Sequence, residues 1–226
     1  MLTRGLEAHT DDHRILRHRG HRFITLRRFD EAVSDLTIAD ERSRMLPDEI
    51  EPDGAPNRQG LPRSTTRFNI LYHLALAHYL RGDFETAAAT FTRCLDASRR
   101  NDDMYVAAAH WLVLARLRSG DDAGADRVLA TIRPVMGVIE NHDYHALLLL
   151  HRGERTPDDV LADAAARSGT AGATLRHGVG AYLLVRGDTE ASTRVFEEIV
   201  HGLGDGSWPA FGFIAAEAEL ARAASD

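Results

Sequence analysis

The stretch Arg81-Gly82-Asp83-Phe84 decides the fold, because it separates two apolar helical patterns and returns in similar form along the chain. Glycine is the usual residue in a tight turn, since it adopts backbone conformations that other residues avoid. Three further turns of this kind follow it: Ser119-Gly120-Asp121-Asp122, Arg152-Gly153-Glu154-Arg155 and Arg186-Gly187-Asp188-Thr189. The four glycines are 38, 33 and 34 residues apart, and this spacing predicts a series of helix–turn–helix units.

The helical pattern is clearest around the first of these turns, between residues 68 and 100. Before the turn, apolar side chains recur with the spacing of one helix face: Leu71, Leu74, Ala75 and Tyr79. After the turn, a second helix face collects Ala87, Phe91, Cys94 and Leu95. Two helices with apolar faces are therefore predicted, with small residues at Ala75 and Ala87 where the pair approaches closely.

These positions, together with Phe84 and Phe91, resemble the consensus of the tetratricopeptide-repeat superfamily, and the resemblance covers nearly the whole chain. When the sequence is aligned on its turns, further repeats occupy about residues 13–44, 106–132, 139–165 and 173–202. Two features depart from the family pattern. Arg27 stands in place of the first turn glycine, and the fourth repeat is degenerate.

The resemblance implies an all-α fold, a right-handed α-solenoid of helix–turn–helix repeats that forms a single domain over residues 1–226. A final helix is predicted at 207–224, where it would cap the array as repeat proteins require. In this superfamily the first helix of each repeat lines a concave groove, which is where ligands usually bind. The fold alone does not specify the ligand, because such scaffolds carry many functions.

The composition excludes several classes of function. All 27 basic residues are arginine, so no lysine is present to form a Schiff base, attach pyridoxal phosphate or complete a phosphate-binding loop. The single cysteine, Cys94, excludes an intramolecular disulfide and a multi-cysteine metal site. A net charge of −7 argues against a general nucleic-acid-binding protein. We expect neither a cofactor nor a metal ion.

The sequence also predicts the location of the protein. No apolar run approaches membrane length, and residues 1–7 contain no stretch that would serve as a secretory signal. Together with the single cysteine, these features favour a cytoplasmic protein of bacterial type that does not associate with membranes. The oligomeric state stays open.

An insertion separates the first two repeats. From Arg27 to Gly82 the chain advances 55 residues, which is one repeat and a surplus of 21, and the loop 46–63 holds four of the seven prolines. Long loops in compact arrays are usually functional or disordered. One hypothesis is that this loop folds across one mouth of the groove, with Glu49, Glu51 and Asp53 offering acidic contacts. The alternative is a solvated loop without a role.

A strip of polar side chains is predicted on the groove side of the first helices. The residues ten positions before each turn share one helix face: Arg17, Tyr72, His110, Asp143 and His177. Three positions earlier, the same face carries Arg14, Asn69, Ala107, Glu140 and Thr174. A groove for apolar helices would present leucine and phenylalanine here, so the strip favours a polar ligand. The alternative is an exposed face that tolerates polar side chains without using them.

The first functional interpretation is a scaffold or adaptor that binds a protein or peptide in this groove. Arg14, Arg17 and Asn69 suit a clamp for a carboxylate, so a partner with an acidic segment would fit. The residues expected to bind are the polar members of the strip and the histidines close to them: Arg14, Arg17, His21, Asn69, Tyr72, His73, His110, Asp143 and His177.

The alternative interpretation is a small-molecule-binding or acid–base enzyme pocket in the same groove, closed by the 46–63 loop. Imidazole beside carboxylate suits proton transfer near neutral pH. The candidate catalytic residues are then His110, Asp143, His177 and Tyr72. Neighbouring helices lie about 8–10 Å apart, which argues against one metal ion shared by His110 and His177. Phosphate or RNA binding by the arginines of residues 14–28 ranks third, because no aromatic residues alternate with them.

Overall fold

The computed structural model describes residues 2–9, 12–52, 57–99, 101–167, 169–203 and 205–225. In these ranges the chain forms twelve α-helices and no β-strand, which confirms the predicted all-α class. None of these helices has the length and hydropathy that a bilayer-spanning segment needs. The helices are α1 (Leu2–Ala8), α2 (His13–Thr25), α3 (Phe29–Ser43), α4 (Thr66–Arg81), α5 (Phe84–Ala97), α6 (Asp102–Arg118), α7 (Asp122–Leu129), α8 (His142–His151), α9 (Pro157–Ala165), α10 (Gly169–Val185), α11 (Thr189–Gly202) and α12 (Phe211–Ala223).

The helices pack as successive pairs and also as a row. Within the pairs, α2 packs against α3, α4 against α5, α6 against α7 and α10 against α11, while α8 and α9 form a smaller contact. The first helices of the pairs, α2, α4, α6, α8 and α10, each contact the next one in that order. This row of first helices carries the polar strip predicted from the sequence.

The repeated turns contain a glycine that ends one helix and an aspartate that begins the next. Gly82, Gly120 and Gly187 have φ angles of 86°, 79° and 85°, in the left-handed region that glycine adopts without strain. The aspartates that follow accept backbone N–H bonds from the first turn of the next helix: Asp83 from Thr86, Asp121 from Gly124 and Asp188 from Ala191. The local sequence therefore determines where each helix stops and where its partner starts.

Arg27 adopts the same backbone conformation as the turn glycines, with a φ of 61°. This conformation costs a residue with a side chain about 1–2 kcal/mol. The contacts of the side chain offset that cost, because Nε donates to Glu217 Oε2 at 2.7 Å and Nη2 donates to the Trp208 carbonyl at 2.9 Å. The departure from glycine thus ties the first turn to the C-terminal part of the chain.

The clearest predicted repeat buries the side chains that its periodicity assigns to the core. The exposed fraction is 5% or less for Leu71, Leu74, Ala75, Tyr79, Ala87, Phe91 and Cys94. Leu95 is half-buried and packs against the same cluster. The helical periodicity therefore predicted the inward faces of α4 and α5 correctly.

The final helix, α12, lies along the row of first helices as well as at its end. It packs against α10 and α11, and it also reaches α4. Its first residue, Phe211, packs edge-on or tilted against His21, Tyr72 and His73, with ring centroids 5.5, 6.3 and 5.6 Å away. At Gly212 the backbones of α12 and α10 are so close that a Cβ would lie 2.6 Å from the Ala173 carbonyl oxygen. The predicted capping helix therefore also covers part of the face that carries the polar strip.

A buried carboxylate fixes the far end of α12 to the row. Glu219 is 4% exposed and accepts hydrogen bonds from Arg118 Nη1 at 2.6 Å and from the Tyr79 hydroxyl at 3.4 Å. Arg222 Nη2 lies 2.8 Å from the same carboxylate. Burial acts to raise the pKa of Glu219, but the two guanidinium groups outweigh it and lower that pKa below its usual value. Helix α12 is thus held by ionic contacts that need its carboxylate to stay charged.

Candidate functional site

A cavity of about 480 Å³ lies where α12 meets the row of first helices. Its walls come from α4, α6, α8 and α10, with Phe211 of α12 on one side and Ser64 and the 140–141 segment at the edges. The volume falls within the range of about 300–1,000 Å³ that is typical of small-molecule sites. Most of the exposed lining is apolar, and the lining residues include Phe68, Tyr72, Met104, Ala107, Tyr144 and Phe211.

Most of the predicted strip in α4, α6, α8 and α10 lines this cavity. Tyr72 and Asp143 come from the positions ten residues before the turns, and Asn69, Ala107, Glu140 and Thr174 come from the positions three residues earlier. His73, which follows Tyr72, also lines the cavity. The register of the repeat turns therefore brought together side chains from four helices that are far apart in the sequence.

His110 and His177 do not line the cavity, although they occupy the same register position as Tyr72 and Asp143. Each is 1% exposed, and the ring of Trp111 lies beside both, with centroids 5.5 Å from His110 and 5.4 Å from His177. The expectation that they face an open groove therefore fails, because neighbouring helices cover them. Burial, the largest cause in each case, lowers the pKa of His110 well below its usual value and that of His177 to about 4.

The predicted carboxylate clamp is occupied by carboxylates of the chain itself. Arg17 Nη2 lies 3.1 Å from Glu51 Oε1, and Asn69 Nδ2 donates to Glu51 Oε2 at 2.8 Å. Arg14 forms an ion pair with Glu49. These two acids belong to the inserted loop that was expected to offer acidic contacts. Asp53, the third acid of that hypothesis, lies outside the described residues.

Backbone pairing holds the two ends of the inserted loop together. Ile50 and Thr65 form an isolated antiparallel bridge, in which the Glu51 N–H donates to the Ser64 carbonyl and the Thr66 N–H donates to the Glu49 carbonyl, both at 2.9 Å. Further along the loop, Asn57 Nδ2 donates to Glu140 Oε2 at 2.8 Å. The described parts of the loop are thus attached both to α2 and to the edge of the cavity.

His21 and His73 contact each other between α2, α4 and α12. Their rings stack with centroids 4.5 Å apart, and Phe211 packs against both. Burial, the main cause, lowers the pKa of His21 to about 4 and that of His73 well below its usual value, and nearby Arg17 adds to both shifts. The imidazole of His73 in the cavity wall is therefore neutral near pH 7.

Two tyrosine hydroxyls meet in the cavity wall. The Tyr72 and Tyr144 hydroxyl oxygens are 3.1 Å apart and share a hydrogen bond, so the rings of α4 and α8 are fixed relative to each other. Burial raises the pKa of both phenols, that of Tyr72 well above its usual value. Tyr144 was not among the predicted site residues, because it follows Asp143 and its register position gives no sign that it reaches the same cavity.

Asp143 is the carboxylate of the strip that lies partly within the cavity. Its side chain is 18% exposed and forms an ion pair with Arg167, which lies beyond the end of α9. Burial raises the pKa of Asp143, although the Arg167 guanidinium opposes that change. The acid is therefore held in a partly desolvated position at the start of α8.

Asp103 is a buried carboxylate that organises the edge of the cavity, and the sequence did not reveal this role. Its side chain is fully buried and accepts three backbone N–H bonds at 2.9–3.0 Å, from Ile139, Glu140 and Asn141. Arg63 Nε also donates to it at 3.2 Å. In sequence, Asp103 reads as an ordinary first-turn acid behind the helix cap Asn101. It fixes the 139–141 segment and the end of the inserted loop together.

No family model, curated protein or solved structure matches the chain. Within the described ranges, no three His, Cys, Asp or Glu side chains converge in a way that would hold a metal ion. The proposals below therefore depend on the geometry of the cavity and on its lining residues.

Proposed function

We propose that the chain binds a small organic molecule in the cavity between α4, α6, α8, α10 and α12. The observation that carries this proposal is the position of α12, whose residue Phe211 packs against His21, Tyr72 and His73. This helix occupies part of the face on which a peptide would lie. What remains accessible is an open cavity whose exposed lining is mostly apolar and also includes polar groups, as ligand sites commonly do.

The scaffold interpretation is disfavoured by the contacts that hold α12 in place. A partner helix or peptide would have to displace Glu219 from Arg118 and Tyr79, and Arg27 from Glu217. It would also have to compete with Glu51 for Arg17 and Asn69. Separating the buried Glu219 carboxylate from its partners alone is costly, typically about 3–5 kcal/mol. A small ligand needs none of these displacements.

The same proposal includes the architecture that the sequence suggested. We propose that the row of paired helices is a tetratricopeptide-like, right-handed array, in which α12 serves both as the cap and as one wall of the ligand site. The bacterial cytoplasm stays the proposed location. The histidines His110 and His177 support the cavity from behind rather than act on a ligand, since both are buried. We therefore favour binding over acid–base catalysis.

A fragment screen by thermal shift tests the proposal, with a variant that fills the cavity. Ala107 lines the cavity on α6, so Ala107→Leu should reduce the space while it keeps an apolar, helix-compatible residue. Ala162→Leu, on the exposed face of α9, is the matched control. We expect fragments that stabilise the unmodified chain and the control by several degrees and stabilise Ala107→Leu much less.

Two results would overturn the proposal: a screen in which no fragment stabilises the chain, or fragments that stabilise Ala107→Leu as strongly as the unmodified protein. Thr174→Met provides a second test at the edge of the cavity, should Ala107→Leu fail to fold. Its longer side chain should weaken the same fragments, whereas an unrelated binding site would leave their affinities unchanged.

A further inference from the structure

Another cavity, of about 320 Å³, lies at the C-terminal end of α12, away from the main cavity that Phe211 borders. The walls of this C-terminal cavity come from α6, α10, α11 and α12, and their apolar part consists of Leu184, Phe196, Leu220 and Ala223. Its volume lies at the lower end of the range of about 300–1,000 Å³ that is typical of small-molecule sites. The C-terminal cavity therefore has room for a small ligand.

Two arginines share one carboxylate in the wall of the C-terminal cavity. Arg118 Nη1 donates to Glu219 Oε2 at 2.6 Å, and Arg222 Nη2 lies 2.8 Å from Glu219 Oε1. All three residues line the cavity, and among the described residues neither guanidinium group has a second carboxylate partner. The lining therefore carries two positive charges against one negative charge.

The two guanidinium groups are held in fixed, partly desolvated positions. The side chains of Arg118 and Arg222 are 20% and 25% exposed, and both pack on the ring of Phe84, at 4.4 and 5.5 Å from its centroid. A binding group that is already immobilised loses little conformational entropy when a ligand arrives. These contacts therefore prepare the arginines to bind an anion.

The charged groups beside the C-terminal cavity do not line it, and each is engaged or neutral. Asp188 caps α11 by accepting the Ala191 N–H, and Glu190 pairs with Arg194. His177, on which the charges of the cluster act, is neutral near pH 7 because burial lowers its pKa to about 4. The lining itself therefore keeps one positive charge in excess.

Two threonine hydroxyls add hydrogen-bond donors to this lining. Thr189 and Thr193 are four residues apart, so they share one face of α11, and both line the C-terminal cavity. The neighbouring Ser192 hydroxyl already donates to the Gly180 carbonyl at 2.8 Å. Within the described ranges no acceptor lies in hydrogen-bond geometry with the hydroxyl of Thr189 or Thr193, and such a group can donate to an oxygen anion.

We infer that the C-terminal cavity binds a small monocarboxylate, a single carboxylate group carried on an apolar body. The carboxylate oxygens accept hydrogen bonds from Arg118, Arg222 and Thr193, and the apolar body lies against Phe196 and Leu220. Guanidinium groups suit planar carboxylates well. One negative charge balances the excess in the lining, whereas a doubly charged phosphate would make the site negative. This site is separate from the main cavity and does not depend on the proposed function.

Titration calorimetry at pH 7.5 tests the inference with probes that share a ring and differ in charge. The set consists of benzoate, benzamide, benzylammonium and phenyl phosphate, with the cyclohexyl and propyl counterparts. We expect the carboxylate of at least one series to bind about 10-fold or more tightly than its amide and its phosphate, which corresponds to about 1.4 kcal/mol. The ammonium members should not bind measurably.

Two variants of the cavity wall should weaken the carboxylate probe. Thr193→Val keeps the shape of the side chain but removes its hydroxyl, and the affinity should fall about 10-fold. Thr37→Val, on the exposed face of α3, is its control. Ala223→Leu reduces the space in the cavity and should also weaken binding, whereas Ala221→Leu, an exposed position of α12 outside the lining, should not.

A third variant should act in the opposite direction. Glu219→Gln removes the carboxylate that competes with the ligand for both arginines, so the carboxylate probe should bind more tightly. Glu198→Gln, on the exposed face of α11, carries the same change of charge and should leave the affinity unchanged. Since Glu219 also holds α12, circular dichroism establishes that this variant folds, and Thr193→Val and Ala223→Leu decide the question if it does not.

The outcomes separate this inference from the proposed function. Binding of the carboxylate probe should persist in Ala107→Leu, which alters only the main cavity. Loss of binding in Ala107→Leu but not in Ala223→Leu would place the probe in the main cavity and overturn the inference. Amides or phosphates that bind as tightly as the carboxylates, or an absence of carboxylate binding in every series, would overturn it as well and leave the proposed main ligand cavity standing.

Discussion

Arg17 on α2 and Tyr72 on α4 occupy the same position relative to their turns, yet their surroundings differ completely. Arg17 lies beneath the inserted loop, where Glu51 neutralises it. Tyr72 lies beneath α12, where Phe211 and the Tyr144 hydroxyl surround it and a cavity remains. The inserted loop therefore covers one end of the row of first helices through charge pairing, whereas α12 lies against α4 and α10 beside a cavity. The difference arises from what covers each helix, not from the helices themselves.

A change of pH should have the largest effect on stability, because it acts on the histidines that α12 and the neighbouring helices bury. The unfolded chain protonates its histidines near pH 6.5, whereas burial lowers the pKa of His21, His151 and His177 to about 4 in the folded chain. These buried histidines therefore make their full contribution to the free energy of unfolding above pH 6.5, and that contribution is lost as the pH drops from 6.5 towards 4. Each pKa unit corresponds to about 1.4 kcal/mol, so His177 alone contributes about 3 kcal/mol across this window.

Urea unfolding monitored by tryptophan fluorescence at pH 7.5, 6.0 and 5.0 measures this effect. His177→Gln should reduce the dependence on pH, because the buried imidazole that resists protonation is gone. His201→Gln, at an exposed position on α11, is the control and should retain the full dependence. Equal unfolding midpoints at pH 7.5 and 5.0 would show that the buried histidines are not held neutral in the way the structure indicates.

Asp103→Ala should destabilise the protein by about 3–5 kcal/mol, since it leaves Arg63 and three backbone N–H groups without their buried acceptor. The 139–141 segment would lose its attachment, and with it the position of Glu140 at the cavity edge. Chemical denaturation measures the loss. Asp126→Ala, an exposed acid on α7, should change the free energy of unfolding little, and a similar loss in both variants would contradict the assigned role.

Gly212→Ala tests whether α12 must approach α10 as closely as the structure shows. A methyl group at this position would lie 2.6 Å from the Ala173 carbonyl oxygen, and relieving that clash requires α12 to shift. We expect a loss of about 1–3 kcal/mol and weaker binding of any cavity ligand, measured by denaturation and calorimetry. Gly202→Ala, at the end of α11 with open space around it, should be neutral or slightly stabilising. Equal stability of the two variants would contradict the close approach of α12 to α10.

Much of this fold could be predicted from the sequence because the deciding interactions are local. Turn glycines such as Gly82 and inward residues such as Phe91 belong to patterns of one or two helical turns, and the structure places them as expected. The same register correctly grouped Asn69, Tyr72 and Asp143 around one cavity. A position counted from a turn states which helix face a side chain occupies, and that part of the site follows from periodicity alone.

The rest of the site depends on contacts between residues far apart in the sequence, which periodicity does not describe. Nothing around Phe211 indicates that it would pack on Tyr72, and nothing around His110 indicates that it would be buried. In the sequence, Arg27 only stands where a turn glycine is expected, whereas in the structure its side chain donates a hydrogen bond to Glu217 of α12. Arg27, a departure from the repeat pattern, is therefore one of the residues that hold the C-terminal helix.

The smallest expected loss of stability concerns the α2 end, where Glu51 and Glu49 form ion pairs that differ in burial. The Glu51 and Arg17 side chains are 13% and 11% exposed, whereas Glu49 and Arg14 are 59% and 55% exposed. Glu51→Gln should cost about 1–2 kcal/mol, since it leaves the largely buried Arg17 charge without its carboxylate. Glu49→Gln should cost less than about 0.5 kcal/mol, as exposed pairs usually do. Hydrogen exchange adds a local readout, because the Glu51 and Thr66 amides should exchange faster in Glu51→Gln only. Equal effects of both substitutions would mean that the loop does not close this end of the row through Glu51.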